Sequence, residues 1–173
     1  MSSTPVHSCA PPKSFAQLGN PSQWEGIAWS GGSWQSESVT NDVRDSYDAM
    51  AVQYAALFLR DLDRDTSGRE WLATFTKLAA RQDGTVADLG CGPGHVVDHL
   101  SELGLRAVGY DISSGQIAEA RKAFPDREFR VADFAALDNA DASLGGIVAR
   151  YSLIHMPPAR HSEIFEEWMR VLQ

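Results

Sequence analysis

Cysteine is scarce: the chain has two in 173 residues, Cys9 and Cys91, far apart and in unlike contexts. One sits in a Ser/Pro-rich terminus and the other inside a glycine-rich turn. A disulfide is therefore not expected, and a reducing cytoplasm is the simpler setting. Long apolar runs are missing too. Nothing approaches the roughly 20 residues of a membrane span, and the amino terminus lacks the charged-then-apolar grammar of a secretory signal. Basic residues are outnumbered, 15 Lys and Arg against 23 Asp and Glu, for a net charge of −8. That balance argues against non-specific binding to nucleic acid or to anionic membranes. A metal constellation is lacking as well, since His95 and His99 share one predicted helix with no third ligand nearby in sequence.

What is present reads as an ordinary globular chain, 43% hydrophobic and 22% charged, long enough to bury a core. Residues 1–38 mix Ser, Pro, Gly and Asn with little period and read as a flexible segment. Trp24, Trp29 and Trp34 recur there every five residues, which fits neither a helical nor a strand face. They read either as anchors on the domain surface or as part of a lid over an acceptor pocket.

A domain follows over 39–173. Val39, Val43, Tyr47, Met50, Tyr54 and Leu57 form a helical stripe that Asp61-Leu62-Asp63 breaks. A second helix is predicted from about Thr66 to Ala80, burying Trp71, Leu72, Phe75 and Leu78. Strands are predicted at Thr85–Asp88, Arg106–Asp111, Glu128–Ala132 and Gly145–Arg150, with helices at His95–Leu103, from Ser113 to about Ala123, and from Pro157-Pro158 onward. Ser113 is a helix cap, and the last helix presents Ile164, Phe165, Trp168 and Val171 on one side. Strands alternating with helices give an α/β fold with a parallel sheet and right-handed crossovers. Ligands bind such sheets beyond the carboxyl ends of the strands. Asp88, Asp111, Asp133 and Arg150 all fall at that edge.

The loop Asp88-Leu-Gly-Cys-Gly-Pro-Gly94 joins the first strand to its helix. Its glycines permit positive φ and close approach of a ligand, and the helix behind it is expected to offer free N–H groups. A dinucleotide fingerprint would require glycine where His95 stands. Asp88 at the mouth would repel a pyrophosphate and suits a cationic ligand instead. Asp111 follows Gly90 by 21 residues, where an acid accepts from both ribose hydroxyls. Asp133 could accept from an exocyclic amine while Phe134 or Ile112 packs on a purine. An ammonium, a ribose and an adenine in that order spell S-adenosyl-L-methionine.

Asp88-Leu-Gly-Cys-Gly-Pro-Gly94, Gly109-Tyr-Asp-Ile-Ser113, Val131-Ala-Asp-Phe134 and Ile147-Val-Ala-Arg-Tyr-Ser-Leu-Ile-His155 resemble successive motifs of the class I S-adenosylmethionine-dependent methyltransferases. Tyr47-Asp-Ala-Met-Ala-Val-Gln-Tyr54 is similar to the segment that often precedes them. The resemblance covers about Val43 to Gln173 and implies a Rossmann-like sheet. It implies that Asp88 and the Gly90 backbone hold the methionine amino group, with Leu89 and Cys91 completing the loop and Gly92 allowing close approach. Asp111 would clasp the ribose, Ile112 and Phe134 would sandwich the adenine, and Asp133 would meet its amine. Gln116 would touch the ribose edge, the Arg150 main chain would face the methionine end, and Tyr47 would cover its carboxylate. Core packing is the alternative for Tyr47 and Phe134, and a solvated helix position for Gln116. His155 is the candidate base, its ordinary pKa lying near 6.5; shaping the pocket is its alternative. His95 caps or flanks the first helix after the loop.

The family continues beyond the point where this sequence ends, with a Pro-Gly-Gly turn and three more strands. The expectation is therefore an incomplete sheet in the order 3-2-1-4, with an apolar edge strand at Ile147 open to self-association. The predicted activity is methyl transfer to a small-molecule acceptor, with no nucleic-acid or membrane partner. A non-catalytic cofactor-binding module is one alternative. A nicotinamide-dependent oxidoreductase is another, disfavoured by His95 and Asp88.

Overall fold

A computed structural model describes residues 36–82 and 84–172. The segment carrying Trp24, Trp29 and Trp34, together with Cys9, lies outside the described residues. Residues 36–38, assigned above to the flexible segment, are already helical.

The elements run α1 (Ser36–Phe58), α2 (Asp61–Arg64), α3 (Thr66–Ala79), β1 (Thr85–Leu89), α4 (His95–Glu102), β2 (Ala107–Asp111), α5 (Ser114–Ala123), β3 (Glu128–Val131), β4 (Leu144–Val148) and α6 (His161–Val171). The four strands form one parallel sheet in the order β3-β2-β1-β4. β1 lies inside the sheet and reads Thr-Val-Ala-Asp-Leu, buried along almost its whole length, as a strand covered on both faces must be. Alternation divides its side chains between two cores. Val86 packs with Leu72, Val97, Leu100, Ile117 and Phe129. Ala87 and Leu89 pack with Val108, Tyr110, Leu144, Ile164 and Trp168.

Local signals place the ends of the elements. Ser113 Oγ accepts from Gln116 N at 3.0 Å and caps α5 as expected. Gly104, φ 91°, ends the turn after α4. Asp65 caps α3 by accepting from Gly68 N at 2.8 Å. Leu172 bridges in parallel to Leu144 at the start of β4, the strand at one edge of the sheet. No helix among the described residues is long and apolar enough to cross a membrane.

Several sequence expectations need correction. Asp61–Arg64 is a short helix and not a break, and it buries Leu62. β4 is Leu144–Val148, so Arg150 stands beyond the strand. The last helix begins at His161, preceded by 3-10 turns at Leu153–His155 and Pro158–Arg160. Leu57, Trp71, Leu78 and Phe165, predicted to pack inward, are each about half exposed. On α1 the residues turned against the start of α5 include Ala51 and Asp48, and a Cβ on Gly115 would stand 3.0 Å from Ala51 Cβ. A helix contact that close has no room for leucine. On α3 the buried face is Leu72 and Ala79, with Phe75 against β4, and Trp71 stacks on the outside of Phe75.

Candidate functional site

β1 is the switch point of the sheet, paired with β2 on one side and β4 on the other, and sheets of this kind take ligands beyond the carboxyl end of such a strand. Gly90, Gly92 and Gly94 line the turn there with φ of 76°, 52° and 86°. Each glycine answers a different demand. A Cβ on Gly90 would collide with Ser152 Cβ, and one on Gly94 would stand 2.6 Å from the Phe129 ring. At Gly92 a Cβ would meet Tyr54 Cε1 at 3.6 Å and Gln116 Oε1 at 3.9 Å, so that glycine is flanked by α1 and α5.

The N–H groups of the loop itself are taken up within the protein. Gly90 N and Cys91 N donate to Tyr110 O at 2.7 and 3.0 Å, and Gly94 N donates to Cys91 O at 3.0 Å. Gly92 N donates to Asp111 Oδ2 at 2.9 Å. A pyrophosphate would find these donors taken.

The loop is instead ringed by buried polar atoms with no partner among the described residues: Asp88 Oδ2, Ser152 Oγ, His95 Nδ1 and both amide atoms of Gln116. Leaving such groups unpaired is costly, so they point to a missing partner. Asp88 is 2% exposed. Burial and repulsion from Asp111 push its carboxyl up to about 7, with Arg150 pulling the other way. A cation placed against Oδ2 would pay back that penalty. Gln116 is fully buried, which removes the solvated alternative.

Asp111 receives N–H bonds on both oxygens, from Gly92 on Oδ2 and from Ser113 on Oδ1, each at 2.9 Å. Burial nonetheless raises its pKa against those bonds. Each oxygen keeps a second lone pair, the number two vicinal hydroxyls need. Ala132 N donates to Asp111 O at 2.9 Å, which brings the start of the Asp133 loop to the same edge. Asp133 Oδ1 accepts from Ala135 N at 2.9 Å. The Phe134 ring stands edge-on to Trp168 at 5.9 Å and packs against the second core, so its core-packing alternative is realised at least in part. Ile112 is half-buried beside Asp111. Leu89 and Cys91 are buried in the two cores, so at the loop they offer backbone alone.

Two residues that sequence reasoning left without a role complete the walls. Asp48 on α1 reaches α5, accepting from Ser113 Oγ at 2.6 Å and Gly115 N at 2.8 Å. Those bonds, the Ser113 hydroxyl foremost, hold its carboxyl below the usual range. Tyr54 flanks Gly92, and burial pushes its phenol up to about 12. Asp48 lies inside the quoted Tyr47-to-Tyr54 segment, so its position was visible although its partner was not.

Beyond β4 the side chain of Arg150 turns away from the sheet edge. Its Nη2 meets Asp61 Oδ2 at 2.9 Å and Asp65 Oδ2 at 2.7 Å, and its guanidinium lies 4.8 Å from the Tyr151 ring centroid. Tyr151 adopts φ 60°, a strained value for a side-chain-bearing residue. Arg150 Nη1 stands 3.5 Å from His95 Nε2. Burial and that arginine lower the His95 pKa to about 4, so the ring flanking α4 is neutral. His155 sits in the turn at Leu153–His155, with Nε2 2.8 Å from Tyr47 Oη. Burial lowers the pKa of His155 as well.

A parallel sheet in the order β3-β2-β1-β4, with a glycine loop after β1 and an acid ending β2, makes this a Rossmann-like α/β domain. A family profile described as a methyltransferase domain matches residues 86–173, half of the chain. The chain belongs to that family, the class I S-adenosylmethionine-dependent methyltransferase domains, whose members take S-adenosylmethionine as methyl donor. It is 31% identical over 130 residues to a demethylmenaquinone methyltransferase of Beutenbergia cavernae, covering 72% of this chain and 52% of that protein. It is 40% identical over 89 residues to the trans-aconitate 2-methyltransferase of Escherichia coli, covering 50% of this chain and 34% of that protein. The chain thus spans about half or less of the length of these relatives. The crystal structure of a magnesium protoporphyrin IX methyltransferase from Synechocystis, with bound SAH, superposes with a TM-score of 0.60 at 20% identity, over 78% of this chain and 68% of that one. That likeness shows the Rossmann-like fold.

Proposed function

We propose that the crevice beyond β1 and β4 binds S-adenosyl-L-methionine and that the chain transfers its methyl group to a small-molecule acceptor. The observation that carries this reading is Asp88 Oδ2, a buried carboxylate oxygen with no partner among the described residues, beside a loop whose N–H donors are spent. An amino acid ammonium supplies the partner that oxygen lacks, and a phosphate does not. Asp111 takes the ribose hydroxyls on its remaining lone pairs, Gln116 offers an unpaired amide between Gly92 and α5, and Ile112, Asp133 and Phe134 border the adenine. The Gly90, Cys91 and Arg150 main chain and Tyr47 border the methionine end.

When bound, the sulfonium supplies an electrophilic methyl carbon, so the protein's task is to align an acceptor and exclude water. His155 is where the acceptor's proton comes to rest, since burial lowers its pKa and leaves the imidazole neutral near pH 7 and able to take a proton up. The relatives are named for demethylmenaquinone and trans-aconitate, both small molecules. The acidic surface, net charge −8, also favours such an acceptor over nucleic acid.

Incubation of the full chain with methyl-labelled S-adenosylmethionine and a panel of hydroxyl, carboxylate, amine and carbon-acid acceptors tests this. Label is expected in at least one small acceptor, with none in RNA or DNA. Binding of S-adenosylhomocysteine without transfer to any acceptor would instead establish a cofactor-binding module.

A further inference from the structure

His155 and Tyr47 come from separate elements, the turn after β4 and the middle of α1, and meet through Tyr47 Oη and His155 Nε2 at 2.8 Å. Their rings are edge-to-face at 5.4 Å and 73°. On its other side Tyr47 stands edge-on to Tyr54, also at 5.4 Å, and Tyr54 flanks Gly92. Tyr47 is therefore interposed between the glycine loop and His155. The neighbouring Asp48 pins α1 to the start of α5, which fixes the register that brings the phenol to the imidazole.

Burial raises the phenol above its ordinary 10 and lowers the imidazole below its ordinary 6.5, so both rings are neutral near pH 7. A neutral imidazole has one donor nitrogen and one acceptor nitrogen. A phenol O–H is a far stronger acid than an imidazole N–H, so the hydroxyl donates and Nε2 accepts. That leaves the imidazole proton on Nδ1, which has no hydrogen-bond partner among the described residues.

We propose that Tyr47 and His155 form a proton relay in which Tyr47 Oη takes the proton of the acceptor while its own hydroxyl proton passes to His155 Nε2. The acceptor X–H bond breaks and its electron pair stays on the acceptor, which becomes the nucleophile. A new O–H bond forms on Tyr47 as the old one breaks, and a new N–H bond forms on Nε2. His155 becomes the imidazolium and afterwards returns one proton to water. The phenol thus touches the acceptor, and the imidazole acts through it. The relay rests on reading the crevice as a methyltransferase site, and it narrows the acceptor to a hydroxyl or an acidic carbon, groups that must lose a proton to react.

Long-range proton–nitrogen correlation spectra of the nitrogen-labelled full chain, with and without S-adenosylhomocysteine, decide this. His155 signals are identified by their loss in His155→Asn. The relay predicts that His155 carries its proton on Nδ1 in the unaltered chain and that Tyr47→Phe moves it to Nε2, the tautomer imidazole favours in water. A proton on Nε2 in the unaltered chain, or no change in Tyr47→Phe, overturns the relay. The unaltered chain suffices if that variant fails to fold. Amide shifts at Gly90–Gly94 on adding S-adenosylhomocysteine report separately on the cofactor reading, so either can fail alone. For the acceptor that takes label, Tyr47→Phe is expected to lower kcat about 100-fold or more, with KM within about threefold. An unchanged kcat overturns the relay.

Discussion

Asp88 and His95 stand on either side of the glycine turn, and burial moves their pKa values in opposite directions, to about 7 and about 4. Binding of an ammonium requires Asp88 ionised. Affinity for S-adenosylhomocysteine should therefore fall about tenfold or more as pH drops from about 7.5 to 5.5, and Asp88→Asn should bind weakly with no such slope. Calorimetry at both pH values checks it, and equal slopes would remove Asp88 from the site. Stability follows the same groups. The raised Asp88 contributes stability that is complete below its ordinary 3.8 and lost as pH rises through about 7. The lowered His95 costs stability as pH falls from its ordinary 6.5 through about 4. The two offset each other across that window, and Asp88→Asn leaves His95 unopposed, so urea midpoints of that variant should decline with acid more steeply than the parent's. The burial of Asp88 and the N–H partners of Asp111 accord with the sequence reading that an acid closing an apolar strand needs a partner. Gln116 was reached only through the family resemblance, with a solvated helix position as the alternative, and its burial follows from the packing of α1 on α5.

At the scale of elements, α1, α2 and α3 owe their placement to a few polar ties that pattern alone does not reveal. Three strands declared themselves by short runs ending in an acid and the fourth by one ending in Arg150, and each lies within two residues of its predicted bounds. The helices before β1 showed their period but not their inward face. Trp71 and Leu78 stay half exposed on α3, whose buried residues are Leu72 and Ala79. Arg150 was expected to serve the site through its main chain, and its side chain holds α2 and α3 through Asp61 and Asp65. With the arginine 15% exposed and the acids about a third exposed, that tie lies between a surface pair and a buried one. Arg150→Met should cost about 2 kcal/mol. Urea denaturation measures the loss, and hydrogen exchange should rise first in α2 and α3. A change below about 0.5 kcal/mol would show that the ties are ornamental to stability.

Across the whole molecule, the order β3-β2-β1-β4 was readable because right-handed crossovers leave few alternatives for alternating strands and helices. The two cores follow from alternation along β1 and β2. What sequence could not show is how the loop spends its donors, since Tyr110 O and Asp111 reach it from another strand. That accounting, with Asp88 Oδ2 left unpaired, is what supports the proposal that the loop seats a cation. Titration of the full chain with S-adenosylhomocysteine and, separately, with NAD at neutral pH tests it most directly. The account predicts saturable one-site binding of S-adenosylhomocysteine and no heat from NAD; binding of NAD with none of S-adenosylhomocysteine would contradict it.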